Sequence, residues 1–142
     1  MKKRPLSVCI ATHDIVGPIR NGGIGTAYYA LAVALARAGH GVTVLYGLGQ
    51  HCECLTIGHW KRHYSRLGIQ FEPVPDYPDL DIRGEWAARA SYRAYLWLKN
   101  KSFDIVHVHE WRGLGYYTLL AKRQGLALQG TTICVGTHSP SF

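Results

Sequence analysis

The sequence predicts an α/β fold: a doubly wound parallel sheet of about five strands in the order 3-2-1-4-5, Rossmann-like, with helices on both faces. Short apolar runs rich in β-branched residues alternate with stretches of helical periodicity. Nearly every run is too apolar to face water on either side, which specifies a parallel sheet covered twice. Right-handed crossovers then wind the chain around both faces. At 142 residues the chain is the size of one domain, spanning 1–142.

The strands are read at Leu6–Ala11, Val42–Tyr46, Ile69–Val74, Ile105–Val108 and Thr131–Val135. Between the first two, Ile24, Tyr28, Leu31, Leu35 and Ala38 recur at steps of four and three, aligning on one helical stripe. That helix is expected to stop at Gly39, a C-terminal cap residue preceded by Arg37. Trp86, Ala90, Ala94 and Trp97 form a second stripe, expected to pack on the sheet before the fourth strand. Weaker helices are read at 57–66 and 114–123. Two loops, 12–23 and 75–83, exceed the usual two to six residues, and long loops are where function concentrates.

Composition narrows the class. Hydrophobic residues make up 47% and charged residues 18%, and no apolar stretch approaches the length of a membrane span. The basic start, Met1 to Pro5, leads into a run interrupted by Thr12, His13 and Asp14, which no signal-peptide core would carry. Cys9 and Cys134 lie in strand-like runs, where a reduced thiol acts as a small hydrophobe. A cytoplasmic, thiol-reduced protein is expected. Sixteen Lys and Arg against nine Asp and Glu give a formal charge of +7, which favours anionic partners without choosing among nucleotide diphosphates, nucleic acid and acidic lipid.

In strand order 3-2-1-4-5 the first and fourth strands are neighbours whose following helices leave toward opposite faces, opening a crevice at their carboxyl ends. The sequence places Thr12, His13 and Asp14 at one such end, His109 and Glu110 at another, and Thr137, His138 and Ser139 at a third. His109, at the switch point, is the prime candidate for chemistry. His107, deeper in the strand, is read as a satisfied core histidine. Gly22, Gly23 and Gly25 open the first helix, where backbone N–H groups can approach an anion such as a diphosphate, or can merely turn the chain. Arg20 beside them tilts the choice toward phosphate. The loop is too long for the usual dinucleotide fingerprint, and Tyr46 and Gly47 stand where an acidic ribose ligand is expected, which disfavours a dehydrogenase.

Two segments, Asn21-Gly22-Gly23-Ile24-Gly25-Thr26 leading into 30–44, and Asp104-Ile105-Val106-His107-Val108-His109-Glu110-Trp111, together carry a resemblance. They resemble the N-terminal domain of retaining glycosyltransferases of the GT-B fold, the group that contains glycosyltransferase family 4 and, more distantly, the glycogen synthases. The resemblance covers essentially the whole chain. It implies a sugar nucleotide as donor and a carbohydrate or glycosylated acceptor, with no metal and no other cofactor. It maps the donor diphosphate and sugar onto Gly22, Gly23 and Gly25, with the charge of Arg20 offset from the family's lysine. It implies catalytic positions at His109 and Glu110, and an acceptor side at Asp14, Trp111, His138 and Ser139. His109 would position the sugar, not attack it. The family's second domain supplies a glutamate pair eight positions apart, and Glu53, Glu72, Glu85 and Glu110 are not so spaced. The chain is therefore expected to be a truncated N-terminal portion, partnered by a C-terminal donor-binding domain of the same gene product and inactive alone.

Other signals are weaker. His51, Cys52, Cys54, His59 and His63 could ligate zinc, but the cysteine spacing is too close and a solvated loop is preferred. Asp76, Asp79 and Asp81 are read as a solvated turn sooner than as ligands for Mg²⁺ or acceptor hydroxyls. Most of the tyrosines and tryptophans are expected in the core, Trp111 excepted. Lys61, Arg62 and Arg66 would allow peripheral contact with an acidic membrane, although a solvated face is the simpler reading. The alternatives are a non-catalytic nucleotide- or phosphosugar-binding module and, on charge alone, a nucleic-acid-binding domain. No recognition helix or aromatic RNA platform supports the latter, and no nucleic-acid partner is expected.

Overall fold

The computed structural model describes residues 3–138. Five strands, β1 (Ser7–Thr12), β2 (Gly41–Tyr46), β3 (Ile69–Pro73), β4 (Ile105–His109) and β5 (Thr132–Gly136), form one sheet in the order β3-β2-β1-β4-β5. Every pairing is parallel. Four α-helices, α1 (Gly23–Arg37), α2 (Ile57–Arg66), α3 (Trp86–Leu98) and α4 (Tyr116–Arg123), fill the crossovers, with a short 3-10 turn at Trp111–Gly113. The α/β class and the strand order are as the sequence predicts.

The strand period of two sorts the core. Val8 and Ile10 of β1 join Tyr28 and Ala32 of α1, Val44, Tyr64 of α2 and Phe71 on one face. Cys9 and Ala11 join Ala94 and Leu98 of α3, Val106, Val108 and Leu114 on the other. Burying each large apolar side chain in these layers contributes about 1.5–3 kcal/mol. At the sheet edge β5 is only half covered, and Val135 is 45% exposed, so the apolar character of this strand overstates its burial. No helix among the described residues is long and apolar enough to cross a membrane.

Helix ends follow local chemistry. Gly39 takes φ +87°, the left-handed geometry expected just past the end of α1. Thr56 caps α2, its Oγ1 accepting the His59 amide at 3.1 Å. The last helix starts later than its periodicity suggests. Arg112 (φ 55°) and Gly113 (φ 61°) are both left-handed and break the helical path, and a Cβ on Gly115 would meet Val108 Cγ2 at 2.7 Å. At the end of the sheet away from the carboxyl termini of the strands, the Asp104 carboxylate accepts from Arg4 and from the Ser7 amide. These bonds, Arg4's foremost, hold its pKa down to about 2 and tie β1 to β4.

Candidate active-site crevice

Because β1 leads to α1 on one face and β4 leads to the 3-10 turn and α4 on the other, their carboxyl ends part. A cleft of about 1010 Å³ opens there. The glycine turn, His138 and Trp111 line it, together with the ends of the β1 and β2 loops.

One wall is the amino end of α1. Its N-cap, Gly22, has no side chain to satisfy the first-turn amides, and no acidic residue lies in the first turn. Asp14 serves from a distance. Its carboxylate accepts the amides of Gly22 at 3.0 Å and Gly25 at 2.9 Å, while its own amide donates to Thr12 Oγ1 at 3.0 Å. Gly25 has to be glycine, since a Cβ there would stand 2.5 Å from Asp14 Oδ1. Two of the three glycine amides expected to face a diphosphate are therefore already occupied by a built-in anion, and Asp14 belongs to the glycine turn. The amides of Gly23 and Ile24, at the first two helical positions, receive no acceptor from the described residues. Arg20 and Glu53 share this wall, Glu53 Oε2 accepting the Arg20 amide at 2.6 Å.

The floor is a pair of histidines. His109, the last residue of β4, is 1% exposed, and it lies beneath the cleft instead of lining it. Its Nε2 accepts the backbone N–H of His13 at 3.1 Å. An accepting nitrogen carries no proton, so the neutral ring holds its proton on Nδ1, an atom with no hydrogen-bond partner among the described residues. Burial lowers the pKa of His109 and keeps the ring neutral. Above it the His13 ring, also 1% exposed, lines the cleft with neither nitrogen hydrogen-bonded. Burial, then the nearby His109 and Arg112, pushes the pKa of His13 down to about 3. Gly47 makes room for this ring: a Cβ there would lie 2.5 Å from His13 Nδ1. The missing acidic residue at the end of β2 thus has a steric reason.

The opposite wall is aromatic. Trp86, expected in the core, is 39% exposed and packs on His13 with ring centroids 4.9 Å apart. It lies at the very start of α3, beyond the reach of the sheet that buries Ala90 and Ala94 of its stripe. Trp111 is 43% exposed and edge-on to His13. Arg112 places its guanidinium 4.5 Å from the Trp111 ring centre and 5.4 Å from that of Trp86. The His138 ring meets Tyr28 edge-on at the third side.

The sequence-predicted residues thus divide. Arg20, Gly22, Gly23, Asp14, Trp111 and His138 line one cleft, with Gly25 behind Asp14 and His109 beneath His13. Glu110 does not line it; Oε1 of its carboxylate accepts the His138 amide at 2.8 Å and steadies the end of β5. Ser139 lies outside the described residues. His107 is the satisfied histidine expected, its Nδ1 3.2 Å from Tyr28 Oη. Trp86 and Arg112 are site residues that sequence reasoning missed, although Arg112 follows a quoted motif directly; His13 is placed on the rim by the sequence, without a role of its own. The zinc candidates do not assemble: Cys54 Sγ bonds the Gly17 carbonyl, His59 and His63 pack on Trp60, and no group of three metal-binding side chains forms among the described residues.

Comparison with known proteins agrees with this architecture. Residues 21–142 match the family model Glycosyltransferase Family 4. Comparison with curated proteins finds no match. With a five-stranded 3-2-1-4-5 sheet and a match over most of its length, the chain belongs to Glycosyltransferase Family 4 and has the N-terminal domain fold of a GT-B glycosyltransferase.

Proposed function

We propose that the chain takes part in transfer of a sugar from a nucleotide-diphosphate donor to a carbohydrate or glycosylated acceptor with retention at the anomeric carbon, without a metal. The observation that carries this reading is the shared crevice. It joins the amino end of α1, the His13–His109 pair and an aromatic wall within a single cleft. In such a transfer the bond from the anomeric carbon to the diphosphate breaks, the acceptor oxygen bonds the carbon, and the acceptor proton passes to the departing phosphate.

The protein's task is to hold charge and geometry. Arg20 and the amides of Gly23 and Ile24 face the diphosphate. His109 holds the His13 backbone through Nε2 from beneath, and the His13 ring, which lines the cleft, is the edge that meets the transferred sugar. Trp86, Trp111 and His138 offer the acceptor apolar ring faces and edges. A C-terminal domain of the same gene product supplies the remaining donor contacts.

The test is sugar transfer from UDP-, GDP- and ADP-sugars, measured for the 142-residue chain and for the full gene product. We expect turnover only by the full product, reduced about 100-fold by His109→Ala, the scale of misplacing a positioned group by about 1 Å once His13 loses its support. Turnover by the 142-residue chain alone, or full activity in the variant, would overturn the division of labour proposed here.

A further inference from the structure

Arg112 lines the cleft, and the transfer reaction just described gives it no role. Its guanidinium lies between two half-exposed indoles, 4.5 Å from the centre of Trp111 and 5.4 Å from that of Trp86. Its backbone is left-handed at φ 55°, unusual for a residue with a Cβ, and Gly113 continues the bend at φ 61°. Unlike Arg4, Lys61 and Arg83, which pair with Asp104, Glu72 and Asp81, Arg112 meets no carboxylate or other hydrogen-bond acceptor among the described residues. The two carboxylates that line the cleft are committed to backbone amides: Asp14 to those of Gly22 and Gly25, Glu53 to that of Arg20.

In a chain of net charge +7, an unpaired cation alone says little. Its aromatic surroundings say more. Cation–π contact with two rings holds the guanidinium in the cleft before any ligand arrives, and its fork of N–H donors suits bidentate capture of a planar or tetrahedral oxyanion. A neutral sugar would gain little from such a fork. The neighbouring His13 is neutral, so it adds a hydrogen-bonding edge without competing for the anion.

We propose that Arg112 determines acceptor specificity by binding a negatively charged group, phosphate or carboxylate, carried by the acceptor sugar. This rests on the reading of the chain as a glycosyltransferase domain. The donor's diphosphate is the other oxyanion that enters the cleft, but its seat is the α1 end with Arg20, whereas Arg112 stands with Trp86 and Trp111 on the aromatic wall.

The indoles beside Arg112 supply the readout. Tryptophan fluorescence of the 142-residue chain would be titrated with glucose 6-phosphate, glucuronate, glucose, inorganic phosphate and, separately, UDP, GDP and ADP. We expect glucose 6-phosphate or glucuronate to bind at least about 10-fold more tightly than glucose, a charge-assisted contact's worth. The more effective of the two identifies the anion. Arg112→Met should abolish that preference and Arg112→Lys should restore only part of it, with nucleotide affinity unchanged within about twofold and folding verified by circular dichroism. Equal binding of glucose and its charged forms would overturn the proposal. So would inorganic phosphate binding as tightly as the sugar phosphate, or a nucleotide affinity that falls in step with Arg112→Met. Nucleotide binding without any anionic-sugar preference sinks this inference alone; absence of nucleotide binding as well counts against the glycosyltransferase reading.

Discussion

Replacing Asp14 by Ala removes a cap that the α1 sequence does not provide for itself. Two first-turn amides lose their acceptor, and a carboxylate leaves the positive end of a 15-residue helix. A lost cap bond costs about 1 kcal/mol. Loss of a half-buried charge at the helix end adds about another 1 kcal/mol, giving roughly 2 kcal/mol in all. Unfolding entropy near 2.1 cal/mol/K per residue over 142 residues is about 0.3 kcal/mol/K. Thermal denaturation followed by circular dichroism should therefore show Tm falling by about 7 °C. Asp14→Asn, which keeps one acceptor oxygen, should lose about half as much. The same change frees the Gly22 and Gly25 amides and removes a negative charge from the cleft, so inorganic phosphate and nucleoside diphosphates should bind about 5- to 10-fold more tightly. A Tm within 1 °C of the parent, about the reach of a neutral surface change, would refute the capping argument. Weaker phosphate binding would refute the conclusion that Asp14 occupies an anion's seat.

Two further outcomes follow from the histidine pair. Gly47→Ala would place a Cβ 2.5 Å from His13 Nδ1 and 3.3 Å from Leu114 Cδ2, so the His13 ring, which packs on Trp86, has to shift. It should destabilise the domain by about 1–3 kcal/mol and shift the emission of Trp86, which packs on that ring; an unchanged Tm and spectrum would contradict the packing. The pH dependence has a definite sign: a buried His13 with a pKa near 3 stays neutral in the native state while the unfolded chain takes up a proton below about pH 6.5. Stability is then fully present above about pH 6.5 and is lost as pH falls toward 3, by up to about 1.4 kcal/mol per pH unit from this group. Urea denaturation from pH 7 to 4 should show a shallower acid loss for His13→Asn than for the parent, and parallel curves would contradict the burial assigned to the ring.

The layered architecture was legible in the residues because its determinants are local. The short apolar run of β1, the period of 3.6 in α1 and Gly39 past the helix end are each read from neighbouring residues alone. From alternation of strand and helix, the strand order and the position of the crevice follow by general rules of handedness and switch points. The same reading named several residues that line the cleft, among them Gly22, Arg20 and Trp111.

What they could not report is which partner each rim residue finds. His13 and His109 are 96 positions apart, and their hydrogen bond depends on the β1–β4 register that sets Val8 beside Ile105. Asp14 reaches α1 because the intervening loop folds back, Trp86 escapes the core because α3 begins beyond the sheet, and Arg112 turns over two indoles through a left-handed backbone. Periodicity fixes the direction of a side chain relative to its own backbone. Distances across the cleft are set by how separate elements dock, a property of the packed whole that no single segment of sequence carries.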